Sequence, residues 1–419
     1  MLTLEKQLYP IEAVCFGPAS CLRGTTLVID RAELERHLEE RSGLAEVRVE
    51  LAAPGDGSRI LNVLDICEPC VKEDGSYFPS WVAPPGLVGE GVTRVLRGVA
   101  VVETGEMAGV VGGLLDLHAE TRQLTPLADL HQVVLRTRPA AGMNKLAYCR
   151  AVRAAGLRAA VYLARLALGN PAPRRETYPR SGDGALASPL PKVAYLCLLH
   201  GIGDLRETFV YGARIREALP FLLQPTEMLD GAVVSFHYDM PPGVKNNTYS
   251  YQRHPLVEDL LRLHGEQLDF RGLVLAPQPV RLEDKQRAAR LAARLLRQTL
   301  RADGVVMTKE AAGAGDYDLM EHCEACERAG VKTVLIDSEQ LNEAGEGLPL
   351  IDLRAAADAI VSAGNIEERV HLPAASRLLG GDTFAAINGD PHAATTVSIS
   401  YIPNSNSSLG FTRLRAVPL

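Results

Sequence analysis

From Val193 onward, short apolar runs alternate with helical stretches, and this alternation is the strongest constraint on the fold. The predicted strands are Val193–Leu199, Gly231–Ser235, Gly272–Pro277, Gly304–Thr308, Lys332–Ile336 and Ala359–Ala363. The predicted helices between them are Leu205–Leu219, Leu256–Leu268, Leu282–Arg301 and Tyr317–Ala329. Repeated βα units favour a parallel sheet with right-handed crossovers. The sequence therefore predicts a doubly wound, mostly parallel α/β domain over residues 191–419.

The loops at the carboxyl ends of these strands are the predicted location of the chemistry. In open α/β sheets, ligands bind outside the carboxyl ends of the strands, where the strand order reverses. The loops in question follow Leu199, Ser235, Thr308 and Ile336. A candidate site loop therefore lies within the C-terminal domain.

The first part of the chain has a different pattern, with short β-branched or alternating runs between Gly and Pro turns. These runs are Val47–Leu51, Arg59–Ile66, Thr93–Thr104 and Val110–Leu117, with one helical stretch at Arg31–Glu40. This pattern predicts a β-rich N-terminal domain over residues 1–135. Residues 136–190 are predicted to hold a helix and a Pro/Gly/Ser-rich linker, which separates the two domains.

Composition excludes several classes of function. The net charge of −7 over 419 residues leaves no basic face for nucleic acid. The Arg-rich stretches at Arg150–Arg165 and Arg287–Arg301 are interpreted as solvated faces of amphipathic helices. No apolar run approaches the roughly 20 residues of a membrane span. Eight cysteines without a secretory signal indicate a cytoplasmic protein with free thiols.

Several motifs, taken in order, resemble a known family. They are GEGVTRVLRGVAVVETGEM at 89–107, VAYLCLLHGIGDLRETFVYG at 193–212, PTEMLDGAVVS at 225–235, KNNTY at 245–249, ADGVVMTKEAAGAGDYDL at 302–319 and LGFTRL at 409–414. The chain is identified by them as similar to the large proprotein subunit of glycine/sarcosine/betaine reductase component B. The D-proline reductase proprotein is a related branch.

The resemblance implies a mechanism and a partner. In the family, a cysteine is converted by self-cleavage to a pyruvoyl group, which captures the substrate amine as a Schiff base and draws electrons from the C–N bond. A thiolate or selenolate on a partner subunit then attacks the α-carbon, and the amine leaves. The resemblance thus implies a hetero-oligomeric oxidoreductase that acts on a small amino-acid-like molecule.

The segment between Asp230 and Lys245 departs from the family because it contains no cysteine. Ser235 is one candidate for the precursor, since pyruvoyl groups also arise from serine. In that case the Ser235 hydroxyl attacks the preceding carbonyl, and the chain is cut there. The alternative is that Ser235 is an ordinary residue at the end of a strand.

A second interpretation gives this loop a new site. His237 and Asp239 alternate, so in extended backbone their side chains point the same way. Together with His200 they form a candidate metal site, or a His–Asp acid/base pair with Tyr238 beside it. The alternative is a loop whose polar groups hydrogen-bond locally. A third interpretation is an uncleaved chain that binds substrate or supports a partner without catalysis.

Two further groups are candidates for substrate binding. Lys245, Asn246, Asn247 and Tyr249 supply a positive charge and directed hydrogen bonds that suit a carboxylate. The alternative for this run is a turn that precedes a helix. Glu310 belongs to a loop of small residues that follows a strand and opens a helix, and it is a candidate functional carboxylate.

Overall fold

The computed structural model describes residues 3–179, 189–311, 313–342, 346 and 353–417. It shows a mixed α/β protein in which strands outnumber helices. In the first half the strands are β1 (Thr3–Pro10), β2 (Ala13–Phe16), β3 (Cys21–Arg23), β4 (Thr26–Ile29), β5 (Glu46–Ala52), β6 (Ser58–Cys67), β7 (Cys70–Lys72), β8 (Gly91–Arg97), β9 (Val99–Gly105), β10 (Gly113–Asp116), β11 (His131–Arg138) and β12 (Arg174–Pro179). The helices there are α1 (Arg31–Ser42) and α2 (Lys145–Arg165).

The second half continues with β13 (Lys192–Gly203), β14 (Arg206–Val210), β15 (Ala213–Arg214), β16 (Phe221–Leu223), β17 (Val233–His237), β18 (Asp269–Gln278), β19 (Gly304–Lys309), β20 (Lys332–Glu339), β21 (Ile360–Asn365), β22 (Arg369–Leu372), β23 (Arg377–Leu379), β24 (Thr395–Ser398) and β25 (Arg415–Val417). Its α-helices are α3 (Pro225–Leu229), α4 (Thr248–Gln252), α5 (Pro255–Leu263), α6 (Leu282–Arg294) and α7 (Ala314–Arg328). No helix among the described residues has the length and apolarity to cross a membrane.

Two sheets dominate the first half. One has the order β12-β1-β8-β7, and the other has the order β10-β6-β9-β11-β5, with β23 added beside β6. Helix α2 packs on both through buried residues such as Val152 and Leu163. Because β23 comes from residues 377–379, the C-terminal part of the chain returns to the first sheet system.

A parallel ladder forms the centre of the second half, in the order β18-β13-β19-β20-β21. Strands β16 and β25 add to its two edges in antiparallel orientation. Side chains alternate along β13: Leu196 packs with the apolar faces of α6 and α7, while Tyr195 packs with α5. The carboxyl ends of four of the parallel strands meet at one edge, where His200, Gln278, Glu310 and Asp337 lie.

The structure differs from the sequence predictions in three segments. The predicted helix at Leu205–Leu219 is wrong: Thr208, Phe209 and Val210 belong to β14, which pairs antiparallel with β17 and with the end of β13. Tertiary pairing decided this segment, because its β-branched and aromatic residues fill a buried ladder. Strand β17 is consequently outside the parallel ladder. The predicted linker contains β12, which pairs with β1, and residues 180–188 lie outside the described residues.

Candidate functional site

Glu310 is the centre of a buried hydrogen-bond network at the carboxyl end of β19. Its Oε2 accepts hydrogen bonds from the backbone amide of His200 at 2.8 Å and from the Thr208 hydroxyl at 2.9 Å. The same oxygen lies 3.3 Å from His237 Nε2, and Oε1 accepts a hydrogen bond from the Tyr251 hydroxyl. The carboxylate therefore joins β13, β14, β17 and α4 at one point.

These partners set the protonation state of Glu310. Burial by itself raises the pKa of the carboxyl group. The charge and hydrogen bond of His237, with the hydrogen bonds from Tyr251 and from the His200 amide, outweigh burial and lower the pKa to about 2. Glu310 is thus a permanent carboxylate at physiological pH, although it is buried.

The network also fixes which nitrogen of His237 carries hydrogen. The Thr208 hydroxyl donates its one proton to Glu310, so it can only accept from His237 Nε2, which lies 2.9 Å away. His237 Nε2 is therefore a donor. His237 Nδ1 is buried and has no hydrogen-bond partner among the described residues. Nδ1 is therefore the ring nitrogen of His237 that the network leaves unpaired.

His200 is oriented in a similar way by Gln278. The Gln278 amide donates to the backbone carbonyl of Glu310 at 3.0 Å, so its oxygen is the acceptor for His200 Nδ1, also at 3.0 Å. Burial, together with the charge of His237, lowers the pKa of His200 to about 4. His200 is therefore neutral near pH 7, with hydrogen on Nδ1 and a lone pair on Nε2. The two imidazole ring centroids are 5.8 Å apart.

Lys245 approaches the same network from the loop before α4. Its Nζ donates to the backbone carbonyl of His237 and, at 3.1 Å, to that of Leu64. Burial lowers the pKa of Lys245 to about 7, although Glu310 and Glu103 oppose the effect. A lysine in this environment changes its charge close to physiological pH.

A narrow cleft opens beside these groups, with about 30 Å³ of space for the centres of water-sized molecules. Its walls come from the loop before α4, the ends of β19 and β20, and the segment after β24. The residues that line it are Gly243, Val244, Lys245, Asn246, Lys309, Glu310, Ala311, Asp337, Ser338, Gln340, Ile366, Asn404, Asn406, Ser407 and Ser408. The position agrees with the rule that ligands bind at the carboxyl ends of parallel strands.

A second buried network anchors the site segment to the N-terminal sheet. Arg153 on α2 forms ion pairs with Asp65 on β6 and Glu103 on β9, and all three side chains are fully buried. Glu103 also accepts a hydrogen bond from the Tyr238 hydroxyl, and Asp65 accepts one from the Thr248 hydroxyl at 2.6 Å. Burial lowers the pKa of Arg153 to about 10 and raises that of Glu103. The network clamps both ends of the segment between β17 and α4.

Only some of the predicted site residues converge on the cleft. Lys245, Asn246 and Glu310 line it, and His200 and His237 bond to Glu310 behind it. The others lie elsewhere. Tyr238 points to Glu103, while Tyr249 packs in the N-terminal core against Phe411. Asn247 is the N-cap of α4, since its Oδ1 accepts from the Ser250 amide at 2.9 Å.

His237 and Asp239 do not form a pair. Asp239 is partly exposed, and its Oδ2 lies 3.5 Å from Arg206 Nε, whereas His237 is fully buried against Glu310. Among the described residues, no three His, Cys, Asp or Glu side chains are placed to hold a metal ion together. Side chains two residues apart point the same way only in extended backbone. Strand β17 ends at His237, so the side chain of Asp239 is free to point elsewhere.

The surroundings of Ser235 do not fit a serine-derived pyruvoyl group. Ser235 lies in the middle of β17, paired with Thr208 of β14, and its amide donates to the Thr248 hydroxyl at 3.1 Å. Its hydroxyl donates to the backbone carbonyl of Asn246 at 2.7 Å, so it is already engaged. Cleavage before Ser235 would break this buried ladder. With no cysteine between Asp230 and Lys245, the segment offers no thiol precursor either.

Sequence reasoning missed several members of the site. Thr208 falls within the segment that was predicted to be a helix. Tyr251, Gln278 and Asp337 belong to no recognisable sequence motif. The polar run Asn404–Ser408 resembled a loop of low complexity, yet it forms one wall of the cleft. Gln278 and Asp337 each directly follow a predicted strand, and this position was the available signal for both.

Comparison with known proteins places this geometry in context. The profile of the glycine/sarcosine/betaine reductase component B subunits matches residues 2–415. The glycine reductase complex component B subunits alpha and beta of Acetoanaerobium sticklandii are 32% identical, over 97% of both chains. The sarcosine reductase complex component B subunit alpha of Peptoclostridium acidaminophilum is also 32% identical, over 88% of this chain and 87% of the relative. The D-proline reductase proprotein of A. sticklandii is 26% identical, over 79% of this chain and 54% of the relative. No solved structure gives a significant match.

Proposed function

The chain belongs to the family of glycine/sarcosine/betaine reductase component B subunits, and from that premise we propose that it works as an uncleaved subunit of such a reductase complex. Its relatives are components of reductase complexes, and the chain is an oxidoreductase subunit of that type. We propose that it binds a small amino-acid-like substrate in the cleft. The electrons for cleavage of the C–N bond come from a thiol or selenol on a partner subunit.

The observation that carries this proposal is the network around Glu310. The Glu310 carboxylate holds His237 Nε2 as a donor and also binds the backbone amide of His200, while Gln278 fixes the ring tautomer of His200. His200 Nε2 therefore keeps a lone pair that can accept a proton. Histidine is the side chain best suited to proton transfer near neutral pH.

The arrangement supports one balanced step. The thiol or selenol of the partner gives its proton to His200 Nε2 and attacks the α-carbon of the substrate. As the new C–S or C–Se bond forms, the C–N bond breaks and its electron pair leaves with the nitrogen. A substrate bound as an ammonium ion releases a neutral amine in this way. The α-carbon group stays on the partner as a thioether or selenoether. Reduction follows when a second thiol attacks that sulfur or selenium: the carbon leaves with the electron pair and takes a proton, and a disulfide or selenenyl sulfide forms, which dithiothreitol reduces.

Two further features support this proposal. The parallel order β18-β13-β19-β20-β21 supports a doubly wound arrangement, in which the strand order reverses between β13 and β19, beside His200 and Glu310. The geometry of Ser235 favours an uncleaved chain, because its hydroxyl and its strand are both engaged. The proposed function therefore requires no pyruvoyl group formed from this chain.

The test uses the complex purified from its native source through a tag on this chain. Release of amine from glycine, sarcosine and betaine is measured with dithiothreitol as the final reductant. We expect release from at least one of the three. Alkylating the separated partner subunits with iodoacetamide before reassembly should abolish it, whereas alkylating this chain alone should not. A complex that releases no amine from any of them would contradict the proposal.

A further inference from the structure

Residues 373–393, which we call the strap, return from the C-terminal half of the chain and pack against the N-terminal sheet. The strap contributes β23, which runs parallel to β6, and its Ser376 amide donates to the Gly57 carbonyl at 2.9 Å. After the strap, the chain continues through β24 into the Asn404–Ser408 wall of the cleft. The contacts of the strap therefore join the two halves of the molecule.

A buried arginine ties down both ends of the strap. Arg59 on β6 is fully buried and forms an ion pair with Asp116 on β10, with 3.0 Å between Nε and Oδ2. Its two terminal nitrogens donate to the backbone carbonyls of Pro373, Pro391 and Ala393. A guanidinium group stays charged in proteins, so this tie does not respond to pH.

His118 makes a second tie, whose strength depends on protonation. Its Nδ1 lies 2.7 Å from Oδ1 of the ion-paired Asp116 carboxylate, and its Nε2 lies 3.1 Å from the Ala374 carbonyl of the strap. Both oxygens can only accept, so each ring nitrogen must carry a hydrogen and the ring is an imidazolium. A neutral ring would keep one of these hydrogen bonds and would turn a lone pair toward the other oxygen. The fit is close, because a Cβ atom at Gly57 would lie 3.2 Å from His118 Nε2.

We propose that His118 is a pH-sensitive latch for the strap. With its second proton, the ring joins Asp116 to the Ala374 carbonyl and closes the strap onto β6 and β10. Loss of that proton breaks one hydrogen bond, and the strap loosens around Ala374 while Arg59 still holds Pro373. The stabilisation is therefore present at low pH and is lost as the pH rises through the range in which histidine changes its charge. The latch is separate from the proposed function, since none of these groups lines the cleft.

The other charged groups near His118 do not give this response. Asp116 faces the ring from β10, and Arg59 on β6 lies behind Asp116. Asp56, in the turn before β6, lies 3.5 Å from Arg377 of the strap. Carboxylates and guanidinium groups ordinarily keep their charges between about pH 5 and 8, whereas histidine does not.

Hydrogen exchange of the purified full chain, followed by mass spectrometry, tests the latch. The readout is the set of peptides that cover residues 374–379, because the amides of Ala375 and Ser376 and those of β23 are bonded in the closed strap. Each exchange rate is divided by that of the same peptide unfolded at the same pH, which gives the protection. We expect the protection to fall at least about tenfold from about pH 5 to pH 8, because a charge-assisted hydrogen bond is lost.

His118→Gln removes the titrating ring, so the strap peptides should then have the same protection at both pH values. His392→Gln is the matched control, because His392 Nδ1 lies 3.3 Å from the Ala375 carbonyl, and a neutral ring can make that hydrogen bond. The fall in protection should persist in this variant. Peptides from the buried strand β13 are the internal reference and should keep their protection.

Equal protection of the strap at both pH values in the original chain would overturn the inference. A fall that persists in His118→Gln would overturn it as well. A parallel loss of protection in the β13 peptides would do the same, because the pH would then act on the whole fold and not on the latch.

Discussion

His237 Nε2 lies 3.3 Å from Glu310 Oε2, and both side chains are fully buried. Glu310 comes from the end of a parallel strand, whereas His237 comes from the end of an antiparallel one. The pair therefore forms only when the antiparallel strands β14 and β17 pack against the parallel ladder that carries β19. Glu310 thereby holds two histidines, His237 through its ring Nε2 and His200 through its backbone amide.

Glu310→Gln should lower the rate of amine release by about 10²–10⁴-fold, the usual contribution of a positioned acid/base system. The amide cannot balance the charge of His237 and cannot accept all four hydrogen bonds in the same way. Amine release by the reassembled complex measures the effect. Glu207→Gln is the control, because Glu207 is a buried carboxylate on β14 that pairs with Arg216. Equal rates for the two variants would rule out the assigned role of Glu310.

Arg153→Met should destabilise the chain by about 3–5 kcal/mol, since it leaves Asp65 and Glu103 buried without their cation. Urea unfolding measures this loss. Arg150→Met, on the exposed side of the same helix, should change stability by no more than about 0.5 kcal/mol. A loss of stability as small as this for Arg153→Met would show that the network of Arg153, Asp65 and Glu103 does not clamp the site segment.

The pH dependence of stability should report Lys245. Burial lowers its pKa to about 7 in the folded chain, so between about pH 7 and its ordinary pKa near 10.5 the unfolded chain binds more protons. The free energy of unfolding is therefore not lowered by Lys245 above about pH 10.5, and it falls progressively as the pH drops from there toward 7. Lys245→Met should flatten the rise in urea midpoint across this window.

Lys309→Met provides the contrast for that experiment. Burial lowers the pKa of Lys309, but Asp337 and Asp316 outweigh it and raise the pKa above its ordinary value. This lysine contributes stability below that value and loses it at higher pH. The rise between pH 7 and 10.5 should therefore survive in Lys309→Met. If the rise in urea midpoint also survives in Lys245→Met, the lowered pKa of Lys245 is not the cause of that rise.

The sequence predicted five strands of the parallel ladder, because apolar periodicity is a local signal, whereas the predicted strand Gly231–Ser235 pairs antiparallel as β17. Glu310 follows the end of β19 as predicted, but His200 lies inside β13, which continues to Gly203. The sequence could not foretell that Thr208 lies in a strand, since pairing with β17 decides that. It also assigned Arg153 to a solvated face, although two distant carboxylates bury it. Contacts between residues far apart in sequence, such as Asn247 with Asn404, leave no periodic trace.

Ser235→Ala should leave the activity of the complex unchanged and lower only the stability of the chain, because all that the hydroxyl contributes is one buried hydrogen bond to the Asn246 carbonyl. A loss of about 0.5–1.5 kcal/mol in stability is the expected cost. Amine release by the complex is the readout. Loss of all activity in a folded Ser235→Ala chain would assign Ser235 a chemical role that its contacts do not indicate.

The mass of the denatured chain, with hydrazide labelling for a reactive carbonyl, tests the central claim most directly. The sample is the chain taken from a complex that releases amine. We expect one unlabelled species of 45.2 kDa, plus the tag. Two fragments that meet at Ser235, with the label on the C-terminal one, would show a pyruvoyl group and contradict the claim that this subunit works uncleaved.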